Sequence, residues 1–278
     1  MPPQHEQGAF DGARGLRLYW QGWRPAAPPT GLLLICHGLG EHSGRYRSVV
    51  DAVLPDGWAV YGFDLRGHGR SLGRRAHLED YADWLADLDA FRRLATALHP
   101  GRPVYLLGHS MGGQIALAHA LDRPAGLAGL VLSAPALASR AVPRAALPVL
   151  GRLARLAPTL RPAGIDPTKI SKDAAVVADY RADPLVHHGN PTVALSAAVI
   201  RQFDVLPERA RELRLPVLLQ HGLLDELTDP AGSRRLAAAC GSPDLTVRWY
   251  EGLWHEIYHE PERAGPLADL RDWLAAHR

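Results

Sequence analysis

A serine hydroxyl becomes a usable nucleophile only when a neighbouring base takes its proton, and the base needs a third group to orient it. Residues Gly108-His109-Ser110-Met111-Gly112 hold a serine in a setting suited to that chemistry. They follow the apolar run Val104 to Leu107 and precede a helix-forming run from Gln114 to Leu121. G-x-S-x-G between a strand and a helix makes a tight, strained turn that lifts the hydroxyl clear of a sheet. The glycines are required because a chain bent so sharply leaves no room for side chains two residues away. The amide of Met111 points into the same space, and Gly113 extends the bare stretch. A glycine-rich turn around an inert serine is the plain alternative, so the partners decide.

In this arrangement the acid and then the histidine follow the serine, each on a loop after a strand. The run Val217 to Gln220 reads as a buried strand, His221-Gly222-Leu223-Leu224 as a turn, and Asp225 as the carboxylate just past it. Glu226 and Asp229 stand close by as competitors, and a solvated turn carboxylate is the bland reading of each. Thr246 to Tyr250 reads as the last strand, and Glu251-Gly252-Leu253-Trp254 leads to His255. The chain has 14 histidines, so its place in the order singles out His255, not its type. A second backbone donor for a developing oxyanion is expected from the loop after an early strand. Leu32 to Cys36 is followed by His37-Gly38-Leu39-Gly40, where the Leu39 amide would join that of Met111. Such donors are worth about 3–4 kcal/mol each in the transition state. A structural turn is the competing reading of His37-Gly38.

His255-Glu256-Ile257-Tyr258-His259 also spells H-E-x-x-H, which binds zinc when both histidines share one face of a helix. Gly252 upstream and Pro261 downstream argue against a continuous helix there, so neither metal nor cofactor is expected. The 31 basic and 29 acidic residues leave a formal charge of +2 without like-charge blocks, which gives a nucleic-acid partner little support. Cys36 and Cys240 are too few for a disulfide framework. Met1 to Gly15 holds no apolar stretch that could serve as a signal segment, and the aliphatic runs are far too short to span a membrane. A cytoplasmic protein is the expectation.

The elements that must position these residues alternate. Leu16 to Trp23 alternates apolar and polar residues, as a half-buried edge strand does. Leu32 to Cys36, Trp58 to Phe63, Val104 to Leu107, Leu127 to Leu132 and Val217 to Gln220 are continuous apolar runs, suited to parallel strands covered on both faces. Helical patterns separate them, at Arg45 to Leu54, Leu78 to Leu98, Gln114 to Leu121, Ala231 to Ala239 and Pro261 to His277. The fold class is therefore α/β, a mostly parallel doubly wound sheet with helices on both faces. Residues 135–206 break the rhythm with Ala, Leu, Pro and Arg. Leu150, Leu153, Leu156 and Leu160 recur at helical spacing, and a second helix is expected from Asn190 to Phe203. The reading is a core of residues 1–134 and 207–278 with a helical cap of residues 135–206.

Several of these segments resemble monoacylglycerol lipases, and bacterial members most of all. The likeness rests on His37-Gly38-Leu39-Gly40-Glu41-His42-Ser43-Gly44-Arg45-Tyr46, on Asp64-Leu65-Arg66-Gly67-His68-Gly69-Arg70-Ser71 and on Gly108 to Gly113. It continues through Asp183-Pro184-Leu185, His221 to Asp225 and the His255 loop. Leu223-Leu224 departs from the family, where a polar residue often stands beside the acid. The resemblance implies an α/β-hydrolase fold, Ser110 as nucleophile, Asp225 as acid and His255 as base. It also implies the Leu39 and Met111 amides as oxyanion hole and a cap over the site. Asp64, Arg66 and His68 would then serve as turn and hydrogen-bond residues beneath the site. The implied substrate is a monoacylglycerol or related small lipid ester. A lysophospholipase, a general carboxylesterase and a small-substrate serine aminopeptidase remain as alternatives, as does a non-catalytic protein on the same fold. Epoxide hydrolases and haloalkane dehalogenases need Asp where Ser110 stands. The cap's apolar residues are expected to line an acyl-sized tunnel. Arg144, Arg152, Arg155 and Arg161 would bring the cap into transient contact with a membrane surface, an ordinary amphipathic helix with a solvated arginine face being the plain alternative.

Overall fold

The computed structural model of the chain describes residues 4–139, 147–162 and 164–278, so Arg144 lies outside the described residues. In chain order its strands are β1 (Gln4–Asp11), β2 (Arg17–Arg24), β3 (Gly31–Cys36), β4 (Trp58–Phe63), β5 (Val104–His109), β6 (Gly129–Ser133), β7 (Val217–Gly222) and β8 (Leu245–Tyr250). They form one sheet in the order β1-β2-β4-β3-β5-β6-β7-β8. β1 and β2 are antiparallel, as are β2 and β4, and every other pair is parallel. This is the mostly parallel α/β sheet expected from the alternation.

The edge is a difference from that expectation. β2 is not an edge strand, because β1 pairs with it from Gln4 opposite Arg24 to Asp11 opposite Arg17. Only Phe10 of β1 is buried, so the strand lacks the apolar signal that sequence patterns depend on.

The helices are α1 (Arg47–Val53), α2 (Tyr81–Leu98), α3 (Met111–Asp122), α4 (Leu147–Leu156), α5 (Ala174–Ala182), α6 (Val193–Arg209), α7 (Pro230–Ala239) and α8 (Ala264–Ala276). Successive residues of a strand face opposite sides, and here both sides are apolar. Leu32, Leu34, Tyr61, Phe63, Leu106, Leu130 and Leu132 pack with Trp84, Leu88 and Phe91 of α2 and Ile115 of α3. Leu33, Ile35, Val60, Leu107 and Val131 pack with Val49, Val50 and Val53 of α1 and with Leu270, Trp273 and Leu274 of α8. Burial on both faces explains why these strands read as unbroken apolar runs.

Between β6 and β7 lie α4, α5 and α6. α5 was not expected; it is short, opens on an Asp173 cap and buries only Tyr180, so it carries no periodic stripe. α6 is longer than expected and runs past residue 206, packing on α4 and also on α3 and α7. No helix among the described residues is long and apolar enough to cross a membrane.

The chain passes from β3 outward to β4 and then returns to β5 on the other side of β3. The carboxyl ends of β3 and β5 therefore flank the crevice where the winding reverses, the place where open α/β sheets hold their ligands. The loop after β4 supports one wall of this crevice. Arg66 of that loop donates to Asp87 Oδ2 at 2.7 Å and Oδ1 at 2.8 Å, and to Asp83 Oδ2 at 2.9 Å, which ties the loop to α2. The Asp87 side chain is fully buried. Arg66→Met should therefore cost about 3–5 kcal/mol, since it leaves a buried carboxylate unpaired, while Arg66→Met/Asp87→Leu should recover part of the loss. Urea unfolding measures both, and a single-variant cost below about 1 kcal/mol would mean that the pair is not needed structurally.

Candidate active site

Ser110 joins β5 to α3 with φ 53° and ψ −121°, a backbone conformation that L-residues rarely adopt. The flanking glycines are needed for contact as well as for bending. A Cβ at Gly112 would lie 2.1 Å from the carbonyl oxygen of Cys36 and 2.4 Å from that of His37. One at Gly108 would lie 2.4 Å from the Gly112 carbonyl oxygen. The turn is pinned by the Ser110 amide donating to the Ser133 carbonyl at 3.0 Å, and by the Ser110 carbonyl accepting from Gln114 and Ala136.

Asp225 follows β7 and His255 follows β8, and the two meet. His255 Nδ1 donates to Asp225 Oδ2 at 2.7 Å. The same oxygen accepts from Thr228 Oγ1 at 2.7 Å and from His221 Nε2 at 3.2 Å. Asp225 Oδ1 accepts from the amides of Leu227 at 2.8 Å and Thr228 at 2.9 Å. Burial would raise the Asp225 carboxyl, but the imidazoles of His255 and His221 hold it far below the usual carboxylate range. Burial alone would lower His255, yet the Asp225 charge outweighs it and raises the ring above its ordinary value. Neither competitor reaches His255: Glu226 pairs with Lys169 at 2.5 Å, and Asp229 caps α7 through the Ala231 amide. His221 and Thr228 were missed in the sequence; their signal, a histidine and a threonine bracketing the acid, is too common to read alone.

Ser110 and His255 line one cavity with Gly38, Leu39, Glu41, His109, Ile165, Ile170, Tyr180, Leu227 and Glu256. The rings of His109 and His255 lie 4.7 Å apart. The Leu39 and Met111 amides, in the loop after β3 and at the head of α3, have no acceptor among the described residues. The cavity measures about 20 Å³, the space of a single water, so the expected acyl tunnel is not open in this conformation.

The segment between β6 and β7 docks on the loop after β3 at several points. The His187 amide donates to the Gly40 carbonyl at 2.7 Å, and His42 Nε2 meets Asp183 Oδ2 at 2.8 Å. The Tyr180 ring lies under the Arg45 guanidinium at 4.8 Å. Arg161 is spent here, bonded to the carbonyls of Asn190 and Arg75, and does not face outward with Arg152 and Arg155.

His255-Glu256-Ile257-Tyr258-His259 lies in a turn, not a helix. Glu256 instead takes a bidentate bond from Arg45 at 2.6 and 2.8 Å, and His259 Nε2 donates to the Arg45 carbonyl at 2.7 Å. Glu41 accepts from the Gly38 amide at 2.6 Å and from Tyr46 at 2.7 Å. The carboxylates of Glu41 and Glu256 thus stand beside the site, and their role was not read from the sequence. Among the described residues no cluster of three or more His, Cys, Asp or Glu could hold a metal ion. Asp64 accepts from the Ser43 and Arg70 amides, both at 2.8 Å, and His68 Nδ1 faces the Arg66 carbonyl at 3.0 Å, so both lie in the turns beneath the site.

Fold and comparison together define a serine ester hydrolase of the α/β-hydrolase fold. Residues 27–262 match the family model described as serine aminopeptidase, S33. The chain is 38% identical over 270 residues to a monoacylglycerol lipase of Mycolicibacterium smegmatis, covering 97% of this chain and 96% of that one. It is 32% identical over 250 residues to monoglyceride lipase of Homo sapiens, covering 89% and 82%. The crystal structure of Paleococcus ferrophilus monoacylglycerol lipase superposes with a TM-score of 0.85 at 32% identity, covering 94% and 99%. The chain belongs to the monoacylglycerol lipase family within these serine hydrolases.

The charge balance at His255 is directly measurable. Followed by its ring nitrogen shifts in NMR, His255 should titrate above about 6.5 in the wild type. In Asp225→Asn the largest raising charge is gone while burial and the weaker pull of Glu256 and Glu41 remain, so the ring should titrate below its wild-type value. An unchanged titration would mean that Asp225 does not set the state of His255.

Proposed function

We propose that the protein hydrolyses monoacylglycerols to glycerol and a free fatty acid, with Ser110 as nucleophile, His255 as general base and Asp225 as its orienting acid. His255 takes the hydroxyl proton as Ser110 attacks the ester carbonyl. The developing oxyanion is stabilised by the Leu39 and Met111 amides. Collapse of the tetrahedral intermediate breaks the ester bond, and the departing alcohol takes its proton from His255. Water, activated by the same imidazole, then attacks the acyl-serine and releases the fatty acid.

The observation that carries the substrate reading is the wall next to His255. A leaving alcohol must lie beside the group that protonates it, and there stand the carboxylates of Glu41 and Glu256 and Tyr180 of α5. Hydrogen-bond acceptors suit the free hydroxyls of glycerol. A phosphodiester brings an anion to the same wall, which disfavours a lysophospholipid. Leu39, Ile165, Ile170 and Leu227 supply the apolar side for the acyl chain.

Residues 135–206 act as the cap in this reading, over a core of residues 1–134 and 207–278. Since a cavity of about 20 Å³ holds no acyl chain, the cap must move for substrate to enter. α4 carries exposed Val149, Leu153 and Leu156, the last 84% exposed, beside exposed Arg152 and Arg155. An apolar stripe flanked by arginines fits transient contact with an anionic lipid surface, where the substrate resides.

The test is kcat/KM on monoacyl, diacyl and triacyl glycerols and a lysophospholipid of one chain length, with Ser110→Ala as control. The monoacylglycerol should be turned over best and the long triester least. Ser110→Ala should fall below about a hundredth of the wild-type rate while keeping its Tm. Equal turnover of the triester or lysophospholipid would contradict the substrate reading, and an active Ser110→Ala would contradict the mechanism.

A further inference from the structure

The ring of His37, fully buried directly after β3, is bonded on both sides to the backbone around the oxyanion loop. The Leu65 amide donates to His37 Nε2 at 2.9 Å. An amide can only donate, so Nε2 carries the lone pair and Nδ1 the proton. Nδ1 lies 2.8 Å from the Gly38 carbonyl oxygen and therefore donates to it. Burial pushes the imidazole down to about 4, which keeps the ring neutral and this tautomer the working one.

The Gly38 carbonyl and the Leu39 N–H belong to one planar peptide unit, and in a trans peptide they point in opposite directions. The described peptides are all trans. A clamp on that carbonyl therefore sets where the Leu39 N–H points. The preceding peptide plane is fixed separately, by the Gly38 amide donating to Glu41 Oε1 at 2.6 Å. The clamp has a job because Gly38 cannot hold the plane by sterics. It has no side chain, and a Cβ there would lie 2.9 Å from Glu41 Oε1 and 3.2 Å from Ser110 Cβ. A glycine with free ψ would let the following N–H swing away.

We propose that His37 is a positioning residue that aims the Leu39 N–H at the forming oxyanion by clamping the Gly38 carbonyl. This rests on Leu39 being an oxyanion donor, which the same experiment tests separately. The His68 ring, 5.5 Å from His37 and edge-on to it, backs the clamp from the loop after β4. The Leu65 amide, from that loop, dictates the tautomer and so links a second strand end to the transition state.

The experiment compares three changes. Replacing Leu39 with its α-hydroxy acid deletes only the N–H and should lower kcat by about 10²–10³-fold with little change in KM. His37→Gln places an acceptor near the Leu65 amide but leaves the Gly38 carbonyl unheld. It should lower kcat by about tenfold to hundredfold at near-constant KM, and weaken a boronic-acid transition-state analogue by the same factor. His37→Asn carries an amide N–H where Nδ1 stands and should keep most of kcat, even if its Tm falls as far as that of His37→Gln. A harmless Leu39 substitution would overturn the oxyanion reading itself. A harmful one with His37→Gln at wild-type kcat, or with Gln and Asn equally impaired, would overturn the role of His37. If neither His37 variant folds, the ring nitrogen spectrum of the wild type decides: protonated Nδ1 with bare Nε2 at pH 7 and pH 5 supports the clamp, and the opposite tautomer or a charged ring overturns it.

Discussion

The left-handed backbone of Ser110 is the constraint on which the rest depends. A non-glycine residue held at such a φ costs on the order of 1–3 kcal/mol and persists only where its surroundings over-determine it. Here they do so from three sides. β6 takes the Ser110 amide, α3 and residue 136 take its carbonyl, and the end of β3 presses so closely that residue 112 has no room for a Cβ. The same close approach brings the loop after β3 against Ser110. Strain at Ser110 and the nearness of Gly38 to its side chain are two results of one packing.

Electrostatics around the site follow a division of labour. Five donors converge on Asp225, so its charge is held in a fixed direction and acts on His255. Glu41 and Glu256 are held by Arg45, Tyr46 and His259, which allows two further carboxylates to sit by the site. Asp225 acts on His255 most strongly, and Glu256 and Glu41 pull its ring in the same direction. Arg45 also holds Tyr180 beneath its guanidinium, so the two glutamates and α5 share one anchor.

The sequence was legible where local pattern and position coincide. Ser110 and Asp225 each follow a buried strand that reads as an unbroken apolar run, while His255 follows the half-buried β8 and was legible only from its place in the order. β1 was not legible, because an edge strand held by backbone bonds to β2 needs few apolar residues. α5 and the cavity residues Ile165, Ile170 and Tyr180 were not legible either, since contacts far apart in the chain bring the segment between β6 and β7 to the site. Glu256 was read inside a zinc-like motif, while its actual partner, Arg45, lies 211 residues away. The small cavity is a tertiary outcome too: apolar composition forecast a tunnel, and the packed site leaves room for about one water.

The central claim is that the strained turn, the two amides and the acceptor wall meet around one reacting carbon. A crystal structure of the protein after reaction with a monoacylglycerol-like phosphonate measures this most directly. The account predicts phosphorus bonded to Ser110 Oγ, its oxygen within about 2.7–3.1 Å of both the Leu39 and Met111 nitrogens, and the glycerol-like arm against Glu41 and Glu256. Phosphorus on another residue, an oxygen turned away from those amides, or the arm lodged among Ile165, Ile170 and Leu227 would contradict it.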